Sequence, residues 1–172
     1  AFKEKFFHVP LTEQPEYNGT QLIHSKVIAS YLRQLLRNDL QYAPFRMEGM
    51  EQDVREMMEI DTPQGKLALQ IGGTIDRLDS KGDTLRIVDY KTGGTPKTPE
   101  NIEQLFTPAD NRPNYIFQTF LYAAILCRKQ SLKVAPSLLY IHRAASESYS
   151  PVIEMGAPRQ PKVPVSYTHL RA

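Results

Sequence analysis

Gly73-Thr74-Ile75-Asp76-Arg77-Leu78-Asp79, followed after a short polar gap by Leu85-Arg86-Ile87-Val88-Asp89-Tyr90-Lys91-Thr92-Gly93, reads as two strands that carry two carboxylates and a lysine. Around the first, Leu67, Leu69, Ile71, Gly73 and Ile75 alternate with Gln70, Gly72, Thr74 and Asp76, the period of a strand with one face buried. Ser80-Lys81-Gly82-Asp83 has the composition of a tight hairpin turn. The two strands are therefore expected to be antiparallel neighbours, with Asp76 near Ile87 to Asp89. Side chains alternate along a strand, so Asp89 and Lys91 share a face and Tyr90 points to the other. One face is expected to carry Asp76, Asp89 and Lys91 together.

Oxygen ligands of this kind suit a hard divalent cation such as magnesium, which takes one or two carboxylates plus water and phosphate oxygens. Such an ion activates water, and a lysine beside it can orient that water or offset charge growing on a phosphate. The plainer reading is a surface hairpin whose charges pair weakly. Asp89, however, closes a run of Leu85, Ile87 and Val88 hydrophobic enough for a central strand, where a carboxylate needs a partner or a task. On residue types alone, a metal site and a structural ion pair both stand open.

Downstream, Asn114 to Arg128 is so rich in apolar residues that it predicts a largely buried helix. Gln118 and Tyr122 share a face of it, one turn apart. Tyr122 reads as a core tyrosine. A glutamine amid Ile116, Phe117, Phe120 and Leu121 needs hydrogen-bond partners, which favours a functional role.

The Gly-x-x-Asp-Arg-x-Asp strand from Gly73, the Val88-Asp89-Tyr90-Lys91-Thr92-Gly93 strand end and Gln118-Thr119-Phe120-Leu121-Tyr122-Ala123 resemble, in order and spacing, the PD-(D/E)XK nuclease superfamily. Within it they are most similar to the RecB-type nuclease domain of bacterial helicase-nuclease repair complexes, including AddB-like subunits. The resemblance spans roughly Phe45 to Ile141. It implies that Asp76 and Asp89 bind Mg2+ or Mn2+, that the Tyr90 backbone carbonyl joins them, and that Lys91 is the catalytic lysine. Gln118 and Tyr122 are implied to face DNA. Many members also place an acidic residue on the preceding strand, where Glu51 is a better positional match than Glu48, although a solvent-facing glutamate explains either. RecB-type domains use a histidine on an N-terminal helix as a further ligand. His8 lacks the helix and His24 lacks the accompanying acidic pattern, so neither is assigned, and the chain is expected to begin after that first motif.

The expected activity is thus a metal-dependent deoxyribonuclease, normally attached to a helicase in double-strand-break repair or recombination. A noncatalytic DNA-binding or scaffold module is the alternative, and hydrolysis of another phosphate ester is a third reading. Some relatives hold an iron-sulfur cluster on four cysteines, which this chain cannot form with Cys127 alone. Cys127 reads as a small core residue.

With 172 residues, 41% of them hydrophobic, and a net charge of +2, the chain fits one globular domain, and the charge balance neither demands nor excludes DNA. No apolar run approaches membrane-spanning length and no signal peptide is visible, which leads to an expected cytoplasmic setting.

Around the core, Asn18 offers an N-cap with Gln21 at the capping-box position, and Leu22, Ile23, Val27, Ile28, Tyr31, Leu32, Leu35 and Leu36 recur at helical spacing. This predicts a packing helix ending near Asn38. Pro44 then starts an extended segment, and Thr62-Pro63-Gln64-Gly65 turns it into the Asp76 strand. The loop from Gly94 to Asn114 exceeds a routine connection, and its Lys97 and Arg112 are candidates for contacting phosphate. Ala135 to Ile141 reads as a buried strand joined through the helix, which favours parallel pairing. The expected fold is α/β, restriction-endonuclease-like: a mixed central sheet with an antiparallel meander and a crossover helix, flanked by helices. The expected organisation is an N-terminal segment and packing helix over 1–44, a nuclease core over 45–150, and an extended, proline-rich tail over 151–172. Within that tail Val165 to Ala172 resembles translated adaptor sequence, so His169 is set aside.

Overall fold

The computed structural model describes residues 4–5, 8–10, 12–13, 16–110, 112–129, 133–146, 148–157 and 163–164. Phe6, Phe7 and the stretch 165–172, including His169, lie outside them.

Helix α1, Gly19–Tyr42, starts where the sequence places it. The Asn18 carboxamide accepts the Gln21 N–H at 2.9 Å, and the Gln21 side chain accepts the Asn18 N–H at 3.1 Å, a complete capping box. The helix runs past the predicted Asn38, stopping only at Ala43, whose successor Pro44 disfavours helical geometry there. Its last turn is held by distant partners. Asp39 accepts from Arg77, and the Tyr42 ring lies under the Arg86 guanidinium, 3.5 Å from centroid to Cζ. The helix packs less than its periodicity promises. Tyr31 and Leu35 meet the sheet, whereas Ile28, Leu32, Leu36 and Leu40 stay exposed.

Strands β1, Arg46–Thr62, and β2, Gly65–Lys81, form one long antiparallel hairpin. β2 turns through Gly82, at φ +61°, into β3, Thr84–Lys91. That left-handed conformation explains the glycine in the predicted turn. After a short helix α2, Glu103–Phe106, helix α3, Asn114–Lys129, crosses over to β4, Lys133–Tyr140, which pairs parallel to β3. The sheet order is β1-β2-β3-β4, a mixed sheet flanked by helices as expected.

Helix α3 covers one face of the sheet. Ile125 and Leu126 pack there with Val54, Ile75, Leu78, Leu85 and Ile87, and Cys127 is buried beside them. The other face buries Val88 and Leu139 under Tyr31 and Leu35 of α1. A third cluster joins Leu105 of α2, Ile116 and Phe120 of α3, and Ile153 and Met155. The long loop is thus anchored by Leu105. Just after Pro151, Ile153 and Met155 insert their side chains into this cluster. There β5, Glu154–Met155, pairs with β6, Val163–Pro164.

Candidate active site

Register decides which side chains meet. Arg77 pairs with Val88 across the antiparallel β2–β3 ladder, which sets Asp76 opposite Asp89. The Tyr90 N–H donates to Asp76 Oδ2 at 2.8 Å, fixing that carboxylate against β3. Two residues beyond Asp89, the Lys91 Nζ lies 2.5 Å from Asp89 Oδ2, so the two share a face as strand alternation requires.

Asp89 is 6% exposed. Burial pushes its carboxyl above the usual carboxylate range, the Lys91 ammonium pulls it back, and the charge of Asp76 pushes it up again. A buried carboxylate facing a second one is costly unless a cation balances the pair. Asp89 Oδ2 is buried, with the Lys91 ammonium as its partner. These two carboxylates are hard oxygen donors of the kind that fit a divalent cation.

Glu51 occupies a telling position. It lies on β1 between Met50, which pairs with Arg77, and Gln52, which pairs with Ile75. It is exposed, and its backbone is left-handed at φ 49°, a conformation that costs a non-glycine residue about 1–2 kcal/mol. Among the described residues, no three His, Cys, Asp or Glu side chains converge tightly enough to hold a metal. Glu48 is engaged elsewhere, accepting from Ser80 Oγ at 2.5 Å and facing Arg46 at 3.7 Å. His24 is exposed on α1, and His8 is exposed as well.

Tyr90 points to the opposite face, where its hydroxyl accepts from Arg77 Nη1 at 3.0 Å. The same Nη1 donates to Asp39 at 2.8 Å, and Arg77 and Arg86 together enclose the fully buried Asp79. Burial works to lower the pKa of Arg77, but its hydrogen bonds to Asp39 and Tyr90 outweigh that and raise it.

On α3, Gln118 Nε2 donates to the Tyr122 hydroxyl at 2.9 Å. Tyr122 is buried in the core, and its hydroxyl lies against Gly73. A Cβ at that position would overlap the hydroxyl and sit 3.1 Å from Cζ. Glycine in the first motif is thus a consequence of the third. The half-buried Gln118 is the member of the pair nearer solvent.

Lys97 and Arg112 line a common cleft of about 320 Å³ with Tyr115. Arg112 donates through Nε to Asn114 Oδ1 at 2.8 Å and lies 5.3 Å from the Phe117 ring centroid. Sequence reasoning missed Tyr115, whose ring centroid is 4.3 Å from Lys91 Nζ. Its spacing was the available signal, since it precedes Gln118 by three residues on the same helix.

A helix-flanked mixed sheet with carboxylates on adjacent antiparallel strands, and a lysine two residues after one of them, defines a restriction-endonuclease-like α/β protein. The family model of the PD-(D/E)XK nuclease superfamily matches residues 1–164, and the chain belongs to this superfamily, whose members cleave phosphodiester bonds and generally use divalent metal ions. No curated protein matches the chain. Among the described residues, no helix is long and apolar enough to cross a membrane.

Proposed function

We propose that the chain is a deoxyribonuclease domain of RecB or AddB type, dependent on Mg2+ or Mn2+, acting beside a helicase in double-strand-break repair or recombination within the cytoplasm. The observation that carries the reading is the row of Asp76 opposite Asp89 with the Lys91 ammonium 2.5 Å from Asp89.

Asp76 and Asp89 would hold the ion, with the Tyr90 carbonyl and Glu51 as further oxygen donors. When bound, the cation would ease loss of a proton from water, so that a hydroxide nucleophile is available near neutral pH, and would offset charge on the phosphate. Lys91 then exchanges its ion pair with Asp89 for the phosphate oxygens, where its charge counts most as negative charge develops. Gln118, braced by Tyr122, shapes the side along which the strand lies, and Lys97 and Arg112 contact its phosphates. The nuclease core is 45–150, packed by the helix of 1–44 and followed by the extended segment from 151.

The test is degradation of linear DNA in magnesium or manganese by the parent and by Lys91→Ala, with folding of both checked by circular dichroism. Loss of one preorganised charge-stabilising group costs about 100–1,000-fold in turnover. A drop of that size in Lys91→Ala is expected. A folded parent without metal-dependent cleavage would leave a noncatalytic DNA-binding module instead.

A further inference from the structure

We propose that the cleft beside Lys91 is a subsite for one unpaired nucleobase of the DNA strand, stacked on Tyr115, so that the chain engages single-stranded DNA at its reaction centre. This rests on the nuclease reading and names the form of its substrate.

The cleft is lined by Gly94, Lys97, Asp110, Arg112, Tyr115 and Tyr140. Its volume of about 320 Å³ falls at the lower end of small-ligand clefts, roughly 300–1,000 Å³. It adjoins the site directly. Lys91 pairs with Tyr140 across the β3–β4 ladder, and the Lys91 ammonium lies over the Tyr115 ring. Whatever occupies the cleft therefore neighbours the phosphate that Lys91 would meet.

The lining favours a base over a second phosphate. Tyr115 is 48% exposed with the Lys91 ammonium over its ring, which leaves part of the side chain open to a flat aromatic ligand. Gly94, at φ +86°, presents no side chain beside the two rings, where a Cβ would make ordinary van der Waals contact with each at 3.7 Å. Asp110 repels a phosphate but accepts hydrogen bonds from base N–H groups. Lys97 and Arg112 suit the sugar-phosphate backbone that enters with the base. A base in a duplex has its faces and its pairing edge occupied, whereas an unpaired one offers a face to Tyr115 and an edge to Asp110.

Binding separates this inference from catalysis. Fluorescence anisotropy with a labelled single-stranded oligonucleotide, the matching duplex and an abasic single strand, all in chelator, reads affinity with no cleavage. Stacking on one aromatic ring contributes about 1–3 kcal/mol per base, so Tyr115→Ala should weaken single-strand binding roughly 5-fold to 150-fold. Tyr115→Phe should retain it, duplex binding should be unchanged, and the parent should lose a similar factor on the abasic strand. Equal affinity of the parent for intact and abasic strands would overturn the inference, and that comparison needs no variant to fold. Equal losses in the alanine and phenylalanine variants, or on both DNA forms, would overturn it too. Absent cleavage with base-dependent binding intact removes the nuclease reading alone. Intact cleavage without base dependence removes the base subsite alone.

Discussion

Replacing Gly73 with alanine places a methyl group against the Tyr122 ring. On the existing backbone that Cβ overlaps the hydroxyl oxygen and lies 3.1 Å from Cζ and 3.3 Å from Cε1. The ring has little room to retreat, being buried among Val54, Ile75 and Leu126 with its hydroxyl held by Gln118. Overpacking a core by one methyl costs about 1–3 kcal/mol. Losing the Gln118 hydrogen bond adds about 0.5–1.5 kcal/mol, and the stiffer unfolded chain offsets about 0.4–1 kcal/mol. The net loss is about 0.5–4 kcal/mol, and at this chain length each kcal/mol moves the melting midpoint by roughly 2–4 °C. Gly73→Ala should therefore melt roughly 1–16 °C below the parent. A double-mutant cycle with Tyr122→Phe, followed by circular dichroism, isolates the contact. Phenylalanine alone should cost about 1 kcal/mol, but in the Gly73→Ala background it removes the overlapping atom, so the double variant should exceed the additive expectation by about 1 kcal/mol. Additive losses, or a Gly73→Ala protein that melts with the parent, would refute the close approach.

Asp89→Asn should melt higher than the parent at neutral pH while losing cleavage. Burial raises the folded-state pKa of Asp89 against the pull of Lys91, so its contribution to stability is present below the unfolded pKa and lost as pH rises through the folded one. The melting gap should accordingly close as pH falls into the carboxylate range, and a parent melting above Asp89→Asn at pH 7 would contradict this sign. Arg77→Met strands Asp79 with Arg86 alone and leaves Asp39 without its guanidinium, so a loss of about 3–5 kcal/mol is expected in urea denaturation. Glu51→Gly should be about 1–2 kcal/mol more stable than Glu51→Ala, since only glycine takes the left-handed backbone without strain. Equal midpoints would mean that the backbone relaxes.

What the sequence made legible was local. The capping box of α1, the glycine turn between β2 and β3, and the alternation that puts Asp89 beside Lys91 each depend on residues a few positions apart. The parallel pairing of β4 followed from chain connectivity. Asp39 and Tyr42 extend α1 by gripping Arg77 and Arg86, partners far along the chain whose positions no helical periodicity encodes. Ile153 and Met155 were hidden for a related reason, since a proline-rich segment shows no period from which burial could be read. Glu51 sits in an unusual backbone conformation that residue type does not announce.

The reverse face of the sheet has a charge parity of its own. Arg77, Arg86 and Asp79 leave it one positive charge in excess, and Asp39, the group that brings the total to zero, comes from α1. A fragment trimmed to begin after α1 would keep every strand and every residue of the carboxylate row. It would nonetheless carry an uncompensated guanidinium beneath Tyr90, the residue between Asp89 and Lys91. A helix with much of its apolar surface bare thus contributes a charge to the sheet as well as the contacts of Tyr31, Leu35 and Tyr42.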